Sequence, residues 1–346
     1  MKVFLMIVRR VLIFIITTLI LLFILLFLSL KLICSNISPS AKELFTTTIL
    51  ETGQVKFLAS WFLSKEEILA IVNKNTISEM NIEMDQSMID AHAKKEKNND
   101  KGYRIEKISG TTFMAKMLIV DDPSRVQVST TYPWQEYGKE LSEICIEASA
   151  SCAINGGLYF SHMNTGGHPL GVVVSNGQIQ YNEPLGVVGI HLIGFDENDV
   201  LRIINIEGYN KNDVIKLVEE EKIRDAVVFQ EERSDINNHF VKLIINGEER
   251  EFDGLGSGAN PRTAIGQRAD GTVLLLVTDG RGRDGHLGAT IKDLIKIMKE
   301  YGAVNAANID GGSSSSMFVD GTYEMTSVTL YNSNSSWKLP AAITVK

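Results

Sequence analysis

The chain has 346 residues, 44% of them hydrophobic and 22% charged, with 28 glycines and a formal net charge of -8. That length can bury a sizeable core in one large domain or two ordinary ones, and the composition is that of a folded, loop-rich protein rather than a disordered one. The acidic balance argues against a nucleic-acid partner, because a phosphate backbone is held by a basic footprint; any phosphate bound here has to be held locally.

Residues 11–30 are apolar apart from Thr17, Thr18 and Ser29. About 20 helical residues at 1.5 Å each span roughly 30 Å, the thickness of a bilayer's hydrocarbon core, so this run predicts a transmembrane helix. Lys2, Arg9 and Arg10 precede it and only Lys31 follows closely, which puts the N-terminus in the cytoplasm and everything after Leu32 outside. A cleaved signal peptide is the competing reading, but the run is longer than a usual signal core and no small-x-small site closes it. The chain therefore divides into a cytoplasmic tip and membrane anchor (1–33), a stalk or linker (34–102) and a globular domain (103–346).

Within the stalk, Ser64 and Glu67 form a capping box ahead of Ile68, Leu69, Ile71 and Val72, which predicts a short amphipathic helix over 64–73. Residues 94–101 lack apolar side chains and read as the linker. Beyond Tyr103, short β-like runs at 117–120, 126–130, 171–174, 187–193, 241–245 and 273–278 alternate with Gly, Asn and Asp turns. Asn176-Gly177, Asn246-Gly247 and Asp320-Gly321 sit between apolar runs as hairpin signals and imply antiparallel pairing. Thr290 and Asp293 cap a helix that ends at Gly302, and a second helix covers 213–221. The fold class expected is α+β, with mixed, largely antiparallel sheets and packed helices besides the N-terminal transmembrane helix. Cys145 and Cys152 close a short loop, as a disulfide or as two buried thiols; spacing alone leaves both open.

The chemistry concentrates where strand 273–278, helix 290–301 and the apolar run 304–309 read as strand-helix-strand. Such a crossover joins parallel strands, placing Asp279 and Asp310 on the same sheet edge. The loops leaving that edge are Asp279-Gly280-Arg281-Gly282-Arg283-Asp284-Gly285 and Asp310-Gly311-Gly312-Ser313-Ser314-Ser315-Ser316. Glycines permit close backbone approach, while N–H groups, serine hydroxyls and Arg281 and Arg283 are donors suited to phosphate oxygens. Gly280, Gly282 and Gly285 also satisfy G-x-G-x-x-G, but the helix starts too late and two arginines crowd the turn. No Lys follows Gly311-Gly312 as a Walker loop requires, and no G-x-S-x-G elbow is present. His162, His168 and His286 match no standard zinc spacing. Asp279, Asp284 and Asp310 are the alternative oxygen donors for a divalent cation, Ca or Mg. Trp134, Trp337 and Tyr159 are either sugar platforms or core.

Four ordered motifs carry a resemblance: Asn155-Gly156-Gly157-Leu158-Tyr159, Asn260-Pro261-Arg262-Thr263-Ala264-Ile265-Gly266, Val277-Thr278-Asp279-Gly280-Arg281 and Asn308-Ile309-Asp310-Gly311-Gly312-Ser313-Ser314. Together they resemble the phosphodiester glycosidase family over roughly residues 103–346. The resemblance implies hydrolysis of a sugar-1-phosphodiester into a free sugar and a phosphomonoester, on an envelope or exopolysaccharide glycoconjugate. It assigns catalysis to Asp310, Asp279 and Arg262, with Asp310 favoured as the group that activates water or attacks the anomeric carbon. It assigns substrate binding to Asn155, Gly156, Arg281, Asn308, Gly311, Gly312, Ser313 and Ser314. The partners implied are a phosphosugar or cell-envelope glycopolymer and the membrane. Two departures stand out: Phe229-Gln230-Glu231-Glu232-Arg233 replaces a short Gly-Pro segment, and Lys338 replaces an Arg. The rival functions are a non-catalytic glycopolymer-binding module and a cation-dependent phosphodiesterase.

Overall fold

The computed structural model describes residues 1–52, 55–93, 100–328 and 334–346. The linker read over 94–101 falls mainly outside them. Its first element is one helix, Lys2–Ile33. Among the described residues, one helix is long and apolar enough to cross a membrane, and its window is not buried against the rest of the protein.

Among the described residues three large antiparallel sheets and one two-stranded ribbon build the domain. A seven-stranded sheet runs in the spatial order Tyr103–Ser109, Met114–Val120, Val273–Thr278, Thr263–Arg268, Ala303–Ile309, Lys242–Ile245, Glu248–Glu249. One five-stranded sheet contains Cys152–Asn155 between Met317–Val319 and Ala341–Val345, and a second contains Ile223–Gln230 between Gly171–Ser175 and Ile190–Asp196. Every described pairing is antiparallel, as the Asn-Gly and Asp-Gly hairpins imply. One core joins all three sheets, with Leu118 and Val277, Ile154 and Ile343, and Ile193 and Phe229 in a single cluster.

The other face of the large sheet is covered by the helix Ile291–Glu300. Thr290 caps it in a reciprocal box with Asp293, and Gly302, with a positive φ of 78°, stops it. Ile291, Leu294, Ile295 and Met298 form its buried stripe, so truncating Leu294 to alanine should cost about 2–5 kcal/mol. This helix connects Val273–Thr278 to Ala303–Ile309, which run parallel as expected but are not neighbours. Thr263–Arg268 lies between them, antiparallel to both. Because that strand runs the opposite way, its first residues meet the ends of the other two: Thr263 is opposite Val277 on one side and Ile309 on the other. The insertion therefore brings Arg262 to the edge that carries Asp279 and Asp310.

Residues 34–93, read from sequence as part of a stalk, pack on the domain. Ile77 joins the cluster beneath the Ile291–Glu300 helix, and Met80 joins the core between the sheets. The helix Lys65–Lys74 forms with both halves of the Ser64–Glu67 capping box in place. A preceding helix, Pro39–Leu50, lays Thr46, Thr47 and Leu50 inward. Cys34, Cys145 and Cys152 are free, buried thiols, and burial pushes Cys145 up to about 11 and Cys152 up to about 12.

Candidate active site

Asp310 leaves the Ala303–Ile309 strand into a turn that Gly311 and Gly312 make possible. Gly312 has φ +61°, and a Cβ there would meet the Arg281 guanidinium at 2.7 Å. Its N–H donates to the Pro261 carbonyl at 2.8 Å, tying the turn to the Arg262 segment. The Asp310 side chain is partly buried, and burial pushes its carboxyl up to about 7 against the opposing pull of the Ser314 hydroxyl, the Gly311 N–H and the Arg281 charge. A carboxyl poised there can hold or release a proton near neutral pH. Ser314 in turn meets the Tyr159 hydroxyl at 3.0 Å. Tyr159 is buried and its phenol is pushed upward by burial and by the Asp310 charge, so it belongs to the support of Asp310 rather than to an exposed sugar platform.

Arg281 reaches the same turn. Its Nη1 donates to Ser313 Oγ at 2.7 Å, and burial and the Arg262 charge lower its pKa while Asp310 raises it. It stands beside two glycines and two serines as the cation of an anion-binding corner. Arg262 is placed differently. Its guanidinium is buried, with Nε donating to the Ala289 carbonyl at 3.2 Å, Nη2 to the Gly258 carbonyl at 2.7 Å, and a further short ion pair to Glu51. Below it lies the Phe240 ring, 5.0 Å away.

Glu51 had no signal in the sequence, since it follows the first stalk helix and lies more than two hundred residues from Arg262. It is the acceptor for four groups: Arg262, the Gly258 N–H at 2.7 Å, Asn238 Nδ2 at 3.0 Å and Asn260 Nδ2 at 3.1 Å. Burial pushes its carboxyl up, and the guanidinium and amides hold it against that pull. His239, close to Arg262 and Lys56, is driven down to about 4 by burial and by those two charges.

The other expected residues divide between scaffold and site. Asn155 is fully buried and spent on the framework: Nδ2 donates to the Asp310 carbonyl at 2.6 Å, and Oδ1 accepts from Thr263 Oγ1 at 2.8 Å and the Ser316 N–H at 3.2 Å. Gly156 packs against the Ala341 carbonyl, 2.7 Å from where a Cβ would stand. Asn308 donates to the Phe240 carbonyl at 3.0 Å, while its Oδ1 has no partner among the described residues. Asp279 is buried with both oxygens engaged, Oδ1 by the Met114 N–H at 2.7 Å and Oδ2 by His286 Nδ1 at 2.6 Å. Glu231, in the segment that departs from the family pattern, is clamped by the buried Arg250 and the Val241 N–H. Among the described residues no group of three His, Cys, Asp or Glu is gathered to hold a metal. Asp279 is spent on Met114 and His286 while Asp284 is exposed, so Asp279, Asp284 and Asp310 are not gathered as one set of oxygen donors.

A carboxyl pushed up to about 7 thus lies beside Arg281 and a Gly-Gly-Ser-Ser turn on one sheet edge. Residues 148–346, more than half of the chain, match the family described as phosphodiester glycosidase, and the chain belongs to that family. In structure it is similar to the catalytic domain of zebrafish N-acetylglucosamine-1-phosphodiester alpha-N-acetylglucosaminidase auto-inhibited by its pro-peptide. The TM-score is 0.54 at 18% identity, over 70% of this chain and 81% of that one, a likeness of fold. Among curated proteins it is 42% identical over 64 residues to the SPbeta prophage-derived uncharacterized protein YomE of Bacillus subtilis. That match takes in 18% of this chain and 10% of the relative's length.

Proposed function

We propose that the chain hydrolyses a sugar-1-phosphodiester at the C–O bond, releasing free sugar and a phosphomonoester, on a glycoconjugate of the envelope or its surroundings. The observation that carries this is the Asp310 carboxyl, raised to about 7 and flanked by Arg281, Ser313 and Ser314. A departing phosphomonoester is a good leaving group, so the site needs anion stabilisation and a modest proton donor more than a strong acid. Arg281 and the Ser313 hydroxyl supply the first, and protonated Asp310 the second. That is a different part from the base or nucleophile favoured on sequence grounds; the raised carboxyl keeps a proton near neutral pH that it can give to the leaving phosphate oxygen. Asn308, with a free amide oxygen, is suited to a sugar hydroxyl. Arg262 supports this corner from beneath, neutralised by Glu51. The N-terminal helix would anchor the protein with its N-terminus in the cytoplasm and the domain outside, the orientation that the basic residues before the helix favour.

The test is release of free sugar by the full chain in detergent from a panel of sugar-1-phosphodiesters, with and without EDTA. Turnover that is lost in Asp310→Asn and Arg281→Ala but survives EDTA is expected. Absence of turnover across the panel, with retained binding to a glycopolymer, would replace the reading by a binding module.

A further inference from the structure

The short helix Phe57–Phe62 turns Phe57 and Trp61 outward, 46% and 64% exposed, with their rings packed edge to face at 5.0 Å. Adjoining aromatic rings left in water are unfavourable, and such a patch marks a surface that something apolar covers. From the same helix Phe62 meets Phe27 of the membrane helix, ring centroids 5.1 Å apart, and packs against the cluster that buries Cys34, Leu50, Ala59 and Leu63. We propose that Phe57, Trp61 and the nearby Ile236 form a second membrane contact, lying in the polar layer of the bilayer and holding the domain at a fixed height above it; this rests on the anchoring read above.

Phe27 supplies the level. It precedes Leu30, the end of the apolar run, by three residues, which places it about 4.5 Å inside the hydrocarbon edge at 1.5 Å per residue. Phe62, one ring contact away, is therefore held at that edge. The helix it ends has six residues and is about 9 Å long, so its surroundings are the headgroup layer, roughly 5–7 Å thick on each side of the hydrocarbon. The side chains suit that layer. An indole has an apolar ring and a polar N–H, the combination found at membrane interfaces, and the exposed Lys65 just beyond the helix has an apolar stem and a charged head that reaches water.

The segment 229–233, which departs from the family pattern, builds the rest of this face. It leads into a ribbon in which Glu232–Arg233 pairs with Asn238–His239. The turn between them is tied down on either side of the short helix: Lys56 Nζ donates to Asn237 Oδ1 at 2.9 Å, and Lys65 pairs with Asp235 at 3.2 Å. Between these ties Ile236 stands 57% exposed. At the ribbon's other end Asn238 donates to Glu51 at 3.0 Å, and Glu51 pairs with Arg262. Leu50, the neighbour of Glu51, shares its cluster with Cys34, so the Arg262 corner stands within roughly 20 Å of the end of the membrane helix, about the length of the helix Pro39–Leu50. Membrane face and site are thus one packed unit, and a site at that height is within reach of a glycoconjugate resident in the same membrane.

The experiment reconstitutes the full chain in phosphatidylcholine vesicles and compares its tryptophan emission in ordinary lipid with that in lipid brominated near the headgroup end of its acyl chains. Trp61 is one of three tryptophans. Trp337 is buried, and Trp134 is partly buried with its indole N–H on the Gln180 carbonyl at 3.1 Å. Bromine should therefore quench roughly a third of the parent's emission and none of that of Trp61→Phe. Ile236→Trp, made in the Trp61→Phe background, should regain the quenching. Equal emission of the parent in the two lipids, or an Ile236→Trp variant that stays unquenched, overturns the proposal while the anchor stands, the chain remaining with the vesicles through an alkaline carbonate wash. A chain that the wash removes overturns both. Trp61 emission shifted to shorter wavelength without quenching by bromine would place a second copy of the chain on this face and also overturn the proposal.

Discussion

Replacing Glu51 by alanine should destabilise the protein by about 3–5 kcal/mol, the cost of breaking a buried ion pair by removing one partner. The structure indicates why the figure belongs near the upper end. The side chains of Glu51 and Arg262 are only 1% and 7% exposed, and the alanine would strand not only the guanidinium but also the donors of Gly258, Asn238 and Asn260. Glu51→Gln, which keeps an oxygen for some of these donors, should lose less. Arg262→Met removes the other charge, and the double variant Glu51→Ala/Arg262→Met should be more stable than the sum of the single losses by about 2 kcal/mol or more, since neither charge is then left buried alone. Urea unfolding of the full chain in detergent, followed by tryptophan fluorescence, measures all four proteins. A loss below about 1 kcal/mol for Glu51→Ala, or strict additivity, would refute the claim that the segment after the membrane helix is an integral layer of the site. The same reasoning predicts that a fragment starting at Tyr103, which lacks Glu51, is markedly less stable than the whole chain.

Asp310→Asn should abolish sugar release yet stabilise the fold at alkaline pH. A carboxyl raised in the folded state binds its proton more tightly there than in the unfolded chain, so the parent loses stability as pH climbs from about 4 to about 7, and the asparagine variant does not. The rise from 3.8 to about 7, at about 1.36 kcal/mol per pH unit, caps the gain at about 4 kcal/mol; melting curves at pH 4 and pH 8 should show a difference only at pH 8. Gly312→Ala should push the Arg281 guanidinium out of place, because its Cβ would lie 2.7 Å from it at φ +61°, lowering kcat/KM at least tenfold, with a stability loss of about 1–2 kcal/mol.

Much of the site was legible in sequence because its parts are local. The Asp310-Gly-Gly-Ser-Ser turn, the Asp279 loop and the capped helix between them lie within one stretch, and a strand-helix-strand unit fixes on which edge both carboxylates fall. What the pattern hid was the strand Thr263–Arg268 inserted between them. Gly266 interrupts it, and its buried Gln267 breaks the apolar run. That glutamine is tolerated inside because its amide bonds the Leu201 N–H at 2.7 Å and the Asp199 carbonyl at 2.8 Å. Roles were harder to read than positions. Asn155 and Arg262 carry polar chemistry that reads as substrate contact, but whether it faces a cleft or the framework depends on partners far away in the chain. Asn155 meets Thr263 and the Asp310 carbonyl, and Arg262 meets Glu51. Glu51 itself is one acidic residue after a helix, and nothing local marks it.

Hydrolysis of the substrate in water enriched in oxygen-18, with mass analysis of both products, tests the central claim most directly. The account predicts one labelled oxygen in the released sugar and none in the phosphomonoester, because the bond broken is between the anomeric carbon and oxygen. Label in the phosphate and none in the sugar would contradict it and make the chain a phosphodiesterase acting at phosphorus.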